Sequence, residues 1–499
     1  MSTYQPITDA LQKGSVNGII ATDNIKVYPH SLSESGDTKL VMIKHKGTKY
    51  LVATGKGPLF DELQGEVEGS SKISPLSHEN RLVLNKYFDY TVPRAFGTQG
   101  STIGLGDRLG IASPGHLKTV KGRGVQPILA QQSIREITLT GRDYKQVMDA
   151  AAYAVFQEGY KDGYGADGDH LKVEADIEMA LGLGFTMLTL DCSEYIDNSI
   201  ESLSAEEQAA KYAQLPEATR SHYEQRYLDQ SFECAGSTFS FNKATLIKNV
   251  LVYGPAVDFM EHIYNTYIKN VGRDIDFEIS IDETATPTDP EAHFMVAKEL
   301  YARGLTIYSM APRFIGEFQK GIDYIGDIAK FEEELIIHSN IADDFGYKLS
   351  IHSGSDKFSV FAIIGKHTKG RFHVKTAGTN WLEAVRTIAK VKPDLYRRMH
   401  QYALDHFKEA TVYYHVTTDL SKIVPLDQVK DEDLDQTFME ENNARQVIHI
   451  TYGILLQAKD EQGHSLFADE FFSTLNEHED AYDQSLIKHI GKHLDLLGK

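Results

Sequence analysis

The chain has 499 residues, 41% hydrophobic, 24% charged and 10% aromatic, enough for one large core with additions or two to three ordinary domains. Lysine and arginine total 51 against 71 aspartate and glutamate, and the resulting charge of −20 argues against nucleic acid or an anionic membrane surface as partner. The two cysteines, Cys192 and Cys234, lie too far apart for a CxxC zinc site and are too few for a disulfide framework.

The opening MSTYQPITDALQKG lacks the basic-then-apolar pattern of a signal peptide, and no apolar run approaches the roughly 18 residues of a membrane span. A cytoplasmic protein is expected. Residues 1–95 predict a small strand-rich unit: GIIATDNIKVY, TKLVMIKH and TKYLVATG are β-branched and alternating, the last two joined by a Lys46-Gly47 hairpin turn. From residue 96 to 392 short apolar strands alternate with long helical stretches. The strands are VQPILAQ, FTMLTLD, DFEISID, LTIYSM, YKLSIHS and RFHVKT. The helices include DYKQVMDAAAYAVFQEG, ATLIKNVLVYGPAVDFMEHIYNTYIKN and PEAHFMVAKELYARG, the last opening on Thr288-Asp289-Pro290 as N-cap and first-turn proline and closing on Gly304. This alternation predicts an α/β fold, a (β/α)₈ TIM-like barrel with a small strand-rich N-terminal unit. The stretch SIESLSAEEQAAKYAQLPEATRSHYEQRYLD is a polar helical insertion, and residues 393–499 read as a helical extension packed on the barrel.

In a parallel barrel the chemistry collects at the C-terminal ends of the strands. In DFEISID, Phe277, Ile279 and Ile281 share one face and leave Glu278, Ser280 and Asp282 on the other. YKLSIHS sets Ser350 and His352 against Leu349 and Ile351, and RFHVKT sets His373 and Lys375 against Phe372 and Val374. One such row alone reads as a hydrogen-bonded layer. Three in one barrel point to function, because unpaired buried charge is costly. GADGDHLK carries Asp167, Asp169 and His170 in one short run with two glycines, either a metal ligand beside a base or a solvated turn. With His352 at a shared barrel mouth, His170 can help to hold a divalent cation, completed by a carboxylate or amide oxygen. PRFIGEFQKGIDY offers Glu317 and Gln319 as oxygen donors. TIGLGDRLGIASPGH lacks the third glycine of a dinucleotide fingerprint and reads as a tight active-site loop with Asp107, Arg108 and His116 as polar contacts. HSGSD lacks the context of a nucleophile elbow, which argues against a serine hydrolase.

GLGDRLGIASPGH, GADGDHLK, DFEISIDETATPTDPEAHFMVAKEL, PRFIGEFQKGIDYIGD and IHSGSDKF, in this order, resemble the tagaturonate/fructuronate epimerase family of hexuronate catabolism. The resemblance runs from about Pro93 into the C-terminal helices. It implies an isomerase with one divalent cation (Zn, Mn, Ni or Co) acting on a small uronate. Carried over by residue, Asp169 matches an acid/base position and His170 and His352 match metal ligands. Gln319 is taken as third ligand and Glu278 as the opposing acid/base, with Glu317 and Glu283 close enough to exchange with them. Gln132, Lys172, Asp191, Arg313, Lys357 and Lys375 are taken as substrate-binding residues. GDHLK and IHSGSDK also resemble elements of class II metal-dependent aldolases, so a metal-dependent aldolase or isomerase acting on another sugar acid or ketose is the alternative. A non-catalytic sugar-acid binder is a third reading.

The implied substrates differ at C3, while their ketone is at C5. Proton removal beside the ketone touches C4 and leaves C3 unchanged. Deprotonating the C3 hydroxyl lets C3–C4 break, and rotation of the aldehyde before the bond re-forms inverts C3. A Lewis-acid cation favours that route, and the chain offers no dinucleotide fingerprint for the alternative of transient oxidation.

Overall fold

The computed structural model describes residues 3–16, 25–282, 284 and 286–499; the start of GIIATDNIKVY and Glu283 lie outside the described residues. The chain forms two compact units, one of Met1–Arg94, Leu105–Ala166 and Ala377–Lys492, the other of Ala95–Gly104, Asp167–Thr376 and His493–Lys499.

The first unit begins with an antiparallel sheet in the order β1-β2-β3-β5-β4, with β1 at Ile25–Ser35, β2 at Thr38–His45, β3 at Thr48–Thr54, β4 at Glu66–Glu68 and β5 at Ser71–Pro75. Its alternation works as the sequence implies. Leu40, Met42, Leu51 and Ala53 pack on one side with Phe88, Tyr153 and Phe156, while Val41, Ile43 and Val52 pack on the other with Ile7 and Leu11. The expected turn is there: Lys46 and Gly47 both have positive φ, 50° and 82°, as a two-residue hairpin loop with native twist demands. The helix Tyr144–Glu158 is fixed at both ends by an Asp143–Gln146 capping box and a left-handed Gly159. Helices from Thr379 onward bury Trp381, Leu395, Tyr396, Phe438, Val447, Tyr452 and Phe471 in one apolar core.

Eight parallel strands close into a barrel in the order β12-β13-β14-β15-β6-β7-β8-β9. They are β6 (Ser101–Gly104), β7 (Val125–Ser133), β8 (Gly165–Leu171), β9 (Met187–Asp191), β12 (Asp276–Ile281), β13 (Ser309–Pro312), β14 (Lys348–Ile351) and β15 (Phe372–Lys375). The fold is the expected (β/α)₈ barrel, but two of its strands come from segments read as loops. Ser101–Gly104 is β6, and GADGDHL is β8, a buried strand and no solvated turn. A hairpin not expected from the polar insertion, β10 (Gln230–Cys234) with β11 (Ser237–Phe241), follows its two helices. Asp289 stands at the N-cap of the helix Pro290–Ala302 but makes no side-chain cap; its carboxylate accepts instead from Lys248 Nζ at 3.0 Å. Both cysteines are buried and free, and among the described residues no helix is long and apolar enough to cross a membrane.

Candidate active site

Four carboxylates and one ammonium meet inside the second unit. Lys375, near the end of β15, lies 2.9 Å from Asp167 Oδ2, 2.7 Å from Asp169 Oδ1 and 2.8 Å from Glu278 Oε1, and donates to Thr189 Oγ1 at 2.5 Å. Thr189 donates onward to Asp167, and Ser309 donates to Glu278 Oε2. The polar rows read from DFEISID, YKLSIHS and RFHVKT are therefore the interior of the barrel. Period-2 alternation puts every second side chain of a barrel strand inside.

β8 departs from regular pairing where the chemistry sits. Its register against β9 shifts between Gly168 and Leu171, and His170 has φ 55°, a conformation uncommon for any residue but glycine. The bulge presents Asp169 and His170 together, with His170 Nδ1 2.7 Å from Asp169 Oδ1. His170 and His352 approach with ring centroids 4.7 Å apart. His352 sits between two acids, Nε2 at 2.8 Å from Glu278 Oε1 and Nδ1 at 3.2 Å from Asp282 Oδ1, while Asp282 also accepts from Ser280 Oγ at 2.5 Å.

Burial and charge pull these groups in opposite directions. Burial alone would raise Asp169 and Glu278, but Lys375 with the adjoining imidazoles holds both carboxyls well below their usual range. Asp167, beside the same lysine but also beside Asp169 and Glu278, is pushed up to about 6 by burial. Burial opposes the charged form of His352, yet Asp282 and Glu278 raise it to about 10. Asp167, Asp169, Glu278 and Asp282 outnumber Lys375 by three charges when the imidazoles are neutral. The field that draws protons onto His170 and His352 would equally draw a divalent cation. One ligand atom each from His170, Asp282 and His352 lies within 4.8 Å of the others, which fits a cation held by two nitrogens and an oxygen with positions left open.

A second polar layer lies within the barrel. Thr102 Oγ1 is 2.9 Å from His373 Nδ1 and 2.5 Å from the Tyr308 hydroxyl, which accepts from Lys348 Nζ at 3.2 Å. Burial pushes His373 down to about 3 and Lys348 down to about 7. Burial thus works against charge in this layer, where in the first the ion pairs sustain it.

The structure brings Asp169, His170, Glu278, His352 and Lys375 into one cluster. Lys375, expected to meet a substrate anion, is the hub of three carboxylates. Lys357 is buried and donates to the carbonyls of Gln319, Ile322 and Ser355 at 2.9, 2.7 and 2.8 Å. Arg313 is half-buried and donates to the Thr284 carbonyl. Lys172 is half-buried, donating to Ser193 Oγ at 2.9 Å and standing 3.4 Å from Asp191 Oδ2. Gln319 is buried; Glu317 is half-buried, its backbone bridging to Ile325. Gln132, in the first unit, is fully buried near the end of β7. Asp107 and Arg108, also there, hold their own loop: Asp107 accepts from the Leu109, Gly110, Ala112 and Ser113 amides, and Arg108 Nη2 lies 2.6 Å from Glu136. Sequence reasoning named Asp167 and Asp282 without giving them a role and passed over Thr189 and Ser309. Asp282 was legible as the third member of the Glu278 row, whereas Thr189 and Ser309 look like ordinary strand residues.

Residues 28–497 match the tagaturonate epimerase family, UxaE. A tagaturonate/fructuronate epimerase of Thermotoga maritima is 42% identical over 477 residues, covering 95% of this chain and 97% of that protein. The glycerol-complexed crystal structure of the fructuronate-tagaturonate epimerase UxaE from Cohnella laeviribosi superposes with a TM-score of 0.95 at 64% identity over 99% of both chains. Its native form gives 0.94 at 66% identity over 95% of this chain and 96% of that one. This chain belongs to the tagaturonate epimerase family, a family of isomerases.

Proposed function

We propose that the chain interconverts D-tagaturonate and D-fructuronate by cleaving and re-forming C3–C4, with one divalent cation (Zn, Mn, Ni or Co) at His170, Asp282 and His352. The observation that carries this reading is the pair of imidazoles, centroids 4.7 Å apart, set among four carboxylates that a single ammonium opposes. Gln319 is a further, uncharged oxygen donor in this proposal. When bound, the cation supplies Lewis-acid polarisation of the substrate ketone.

The side chains do the rest. Asp169 accepts the C3 hydroxyl proton of one epimer as C3–C4 breaks, and the proton passes to Glu278 by way of the Lys375 ammonium that touches both acids. Glu278 gives it to the C3 oxygen as the bond re-forms on the other face; the reverse reaction runs the same path backward. Lys375 fixes the orientation of both carboxylates, and Ser309 holds Glu278 through its other oxygen. The buried walls exclude water, so the aldehyde formed at C3 is kept from hydration while it rotates. Lys172, Asp191 and Arg313 are proposed to meet the substrate's hydroxyls and carboxylate.

The test is elemental analysis of the purified protein followed by ¹³C NMR of D-tagaturonate incubated with it. A bound divalent metal, appearance of fructuronate and loss of conversion on chelation are expected. Metal-loaded protein that leaves tagaturonate unchanged would contradict the proposal.

A further inference from the structure

We propose that the start of the helix Thr379–Val391 is a carboxylate-binding site, with Thr379 and Gln132 as its side-chain donors. The proposal concerns the first unit alone, and it rests on the function proposed above only for the identity of the molecule that brings the carboxylate.

The first N–H groups of any helix lack acceptors within it and carry the positive end of its dipole. At an exposed start water satisfies them. Here the start is buried, for Thr379, Asn380 and Trp381 are each 0% exposed. The N-cap is Gly378, which has no side chain to accept from them, and no side-chain cap bond is present. The first bond back to Gly378 is long, Leu382 N to Gly378 O at 3.5 Å.

Two buried side chains of this unit carry polar atoms without partners among the described residues. Thr379 is the first residue of the helix, and side chains there lean toward the N-terminus. Its hydroxyl is buried and has no hydrogen-bond partner among the described residues. Gln132 is 0% exposed, and neither its amide oxygen nor its amide nitrogen has a partner among them. Leaving such groups unsatisfied in a native interior is costly, which is the reason for placing a ligand against them. Gly106 ties the two segments together. A Cβ on it would strike the Gln131 carbonyl and come within 3.0 Å of the Ala377 side chain, and Asn380 Nδ2 donates to the Gly106 carbonyl at 2.6 Å.

The character of the donors selects the ligand. Free helix N–H groups, a hydroxyl and an amide NH₂ suit an anion with two acceptor oxygens. The acids nearby are already answered. Asp107 accepts from the amides of its own loop, and Glu136 accepts from Arg108 Nε at 2.9 Å. The carboxylate belongs either to the uronate or to a separate carboxylic acid.

Calorimetric titration of the metal-loaded protein with D-tagaturonate, with its C1 amide and with malonate distinguishes these sources. The variants are Thr379→Val, Thr379→Ser and Gln132→Glu, with the near-isosteric Gln132→Leu replacing the last should a buried charge unfold the chain. If the uronate brings the carboxylate, Thr379→Val and Gln132→Glu weaken tagaturonate by about tenfold or more and leave the amide nearly unchanged, while Thr379→Ser behaves as wild type. If a separate acid brings it, the same variants bind tagaturonate normally and lose malonate by a similar factor, which also supports the site. Wild-type affinity of every folded variant for all three ligands would overturn it. Tagaturonate that binds through Thr379 and is never converted would leave the site standing and remove the epimerase reading.

Discussion

Two ionic clusters of the chain, one built around a carboxylate and one around an ammonium, differ in what surrounds them. In the first unit Glu479 meets Lys44 and Lys49 at 2.8 Å each and Lys26 at 3.3 Å, and also accepts from the Tyr28 hydroxyl. In the barrel one lysine meets Asp167, Asp169 and Glu278, and Asp282 stands nearby on His352. Around Glu479 three lysines meet two carboxylates, since Lys26 also lies 2.7 Å from Asp480, and the Lys26 side chain is 39% exposed, so water and salt screen what is left over. The surplus negative charge of the barrel is buried, where screening is weak and an unbalanced charge costs several kcal/mol or about that. The first cluster is complete as a staple of the fold. The second keeps two imidazoles beside its carboxylates, which can take up either protons or, in the function proposed here, a cation.

Substitutions sharpen the contrast. The largest effect falls on the barrel: Asp169→Asn is expected to keep its metal and lose about a thousandfold in kcat, because an amide cannot accept the hydroxyl proton. Steady-state kinetics with metal analysis checks both halves, and a fully active variant would remove Asp169 from its role. His352→Ala is expected to copurify with about a tenth or less of the wild-type metal, read by mass spectrometry of the protein digest. Stoichiometric metal in that variant would reject the ligand assignment.

Glu479→Gln touches only the staple and is expected to cost about 1–3 kcal/mol of stability while leaving kcat at 25 °C unchanged. Burial would raise the Glu479 carboxyl, but Lys49 and Lys44 hold it below its usual range. Its stabilisation is therefore present above the unfolded pKa of about 4.3 and lost as pH falls through the folded one. The gap in Tm between wild type and Glu479→Gln should be full at pH 7 and narrow below about pH 4.3; a gap independent of pH would show that packing, not charge, is at stake. The smallest effect is expected at the hairpin, where Gly47→Ala places a Cβ at φ 82° in open space and costs about 1 kcal/mol, with chemical denaturation as the readout.

The sequence exposed the barrel wherever its strands were apolar outward and polar inward. DFEISID, YKLSIHS and RFHVKT carried both the fold signal and the site signal, since an inward Glu278, His352 or Lys375 breaks an otherwise apolar run at period 2. GADGDHL hid as a strand for the same physical reason that it matters. Two glycines, two inward aspartates and a left-handed His170 erase the β-branched signature, and the bulge that aims Asp169 and His170 has no fixed composition. Ser101–Gly104 was too short and too rich in small residues to stand out from its loop. What could not be read at all was long-range pairing. Lys375 lies 206 residues from Asp169, and nothing local says that its ammonium is held by carboxylates rather than offered to a ligand. The uncapped start at Gly378 was equally silent, because an absent side chain leaves no motif.

The central claim is that this cluster inverts C3 by breaking and re-forming C3–C4. Substrate deuterated at C3 tests it most directly. Cleavage makes C3 trigonal while its hydrogen stays attached, so the account predicts product that keeps its deuterium, a small secondary isotope effect, and no label entering C3 from heavy water. Transient oxidation at C3 would instead move that hydrogen as hydride. A primary isotope effect of about several-fold at C3 would contradict the account.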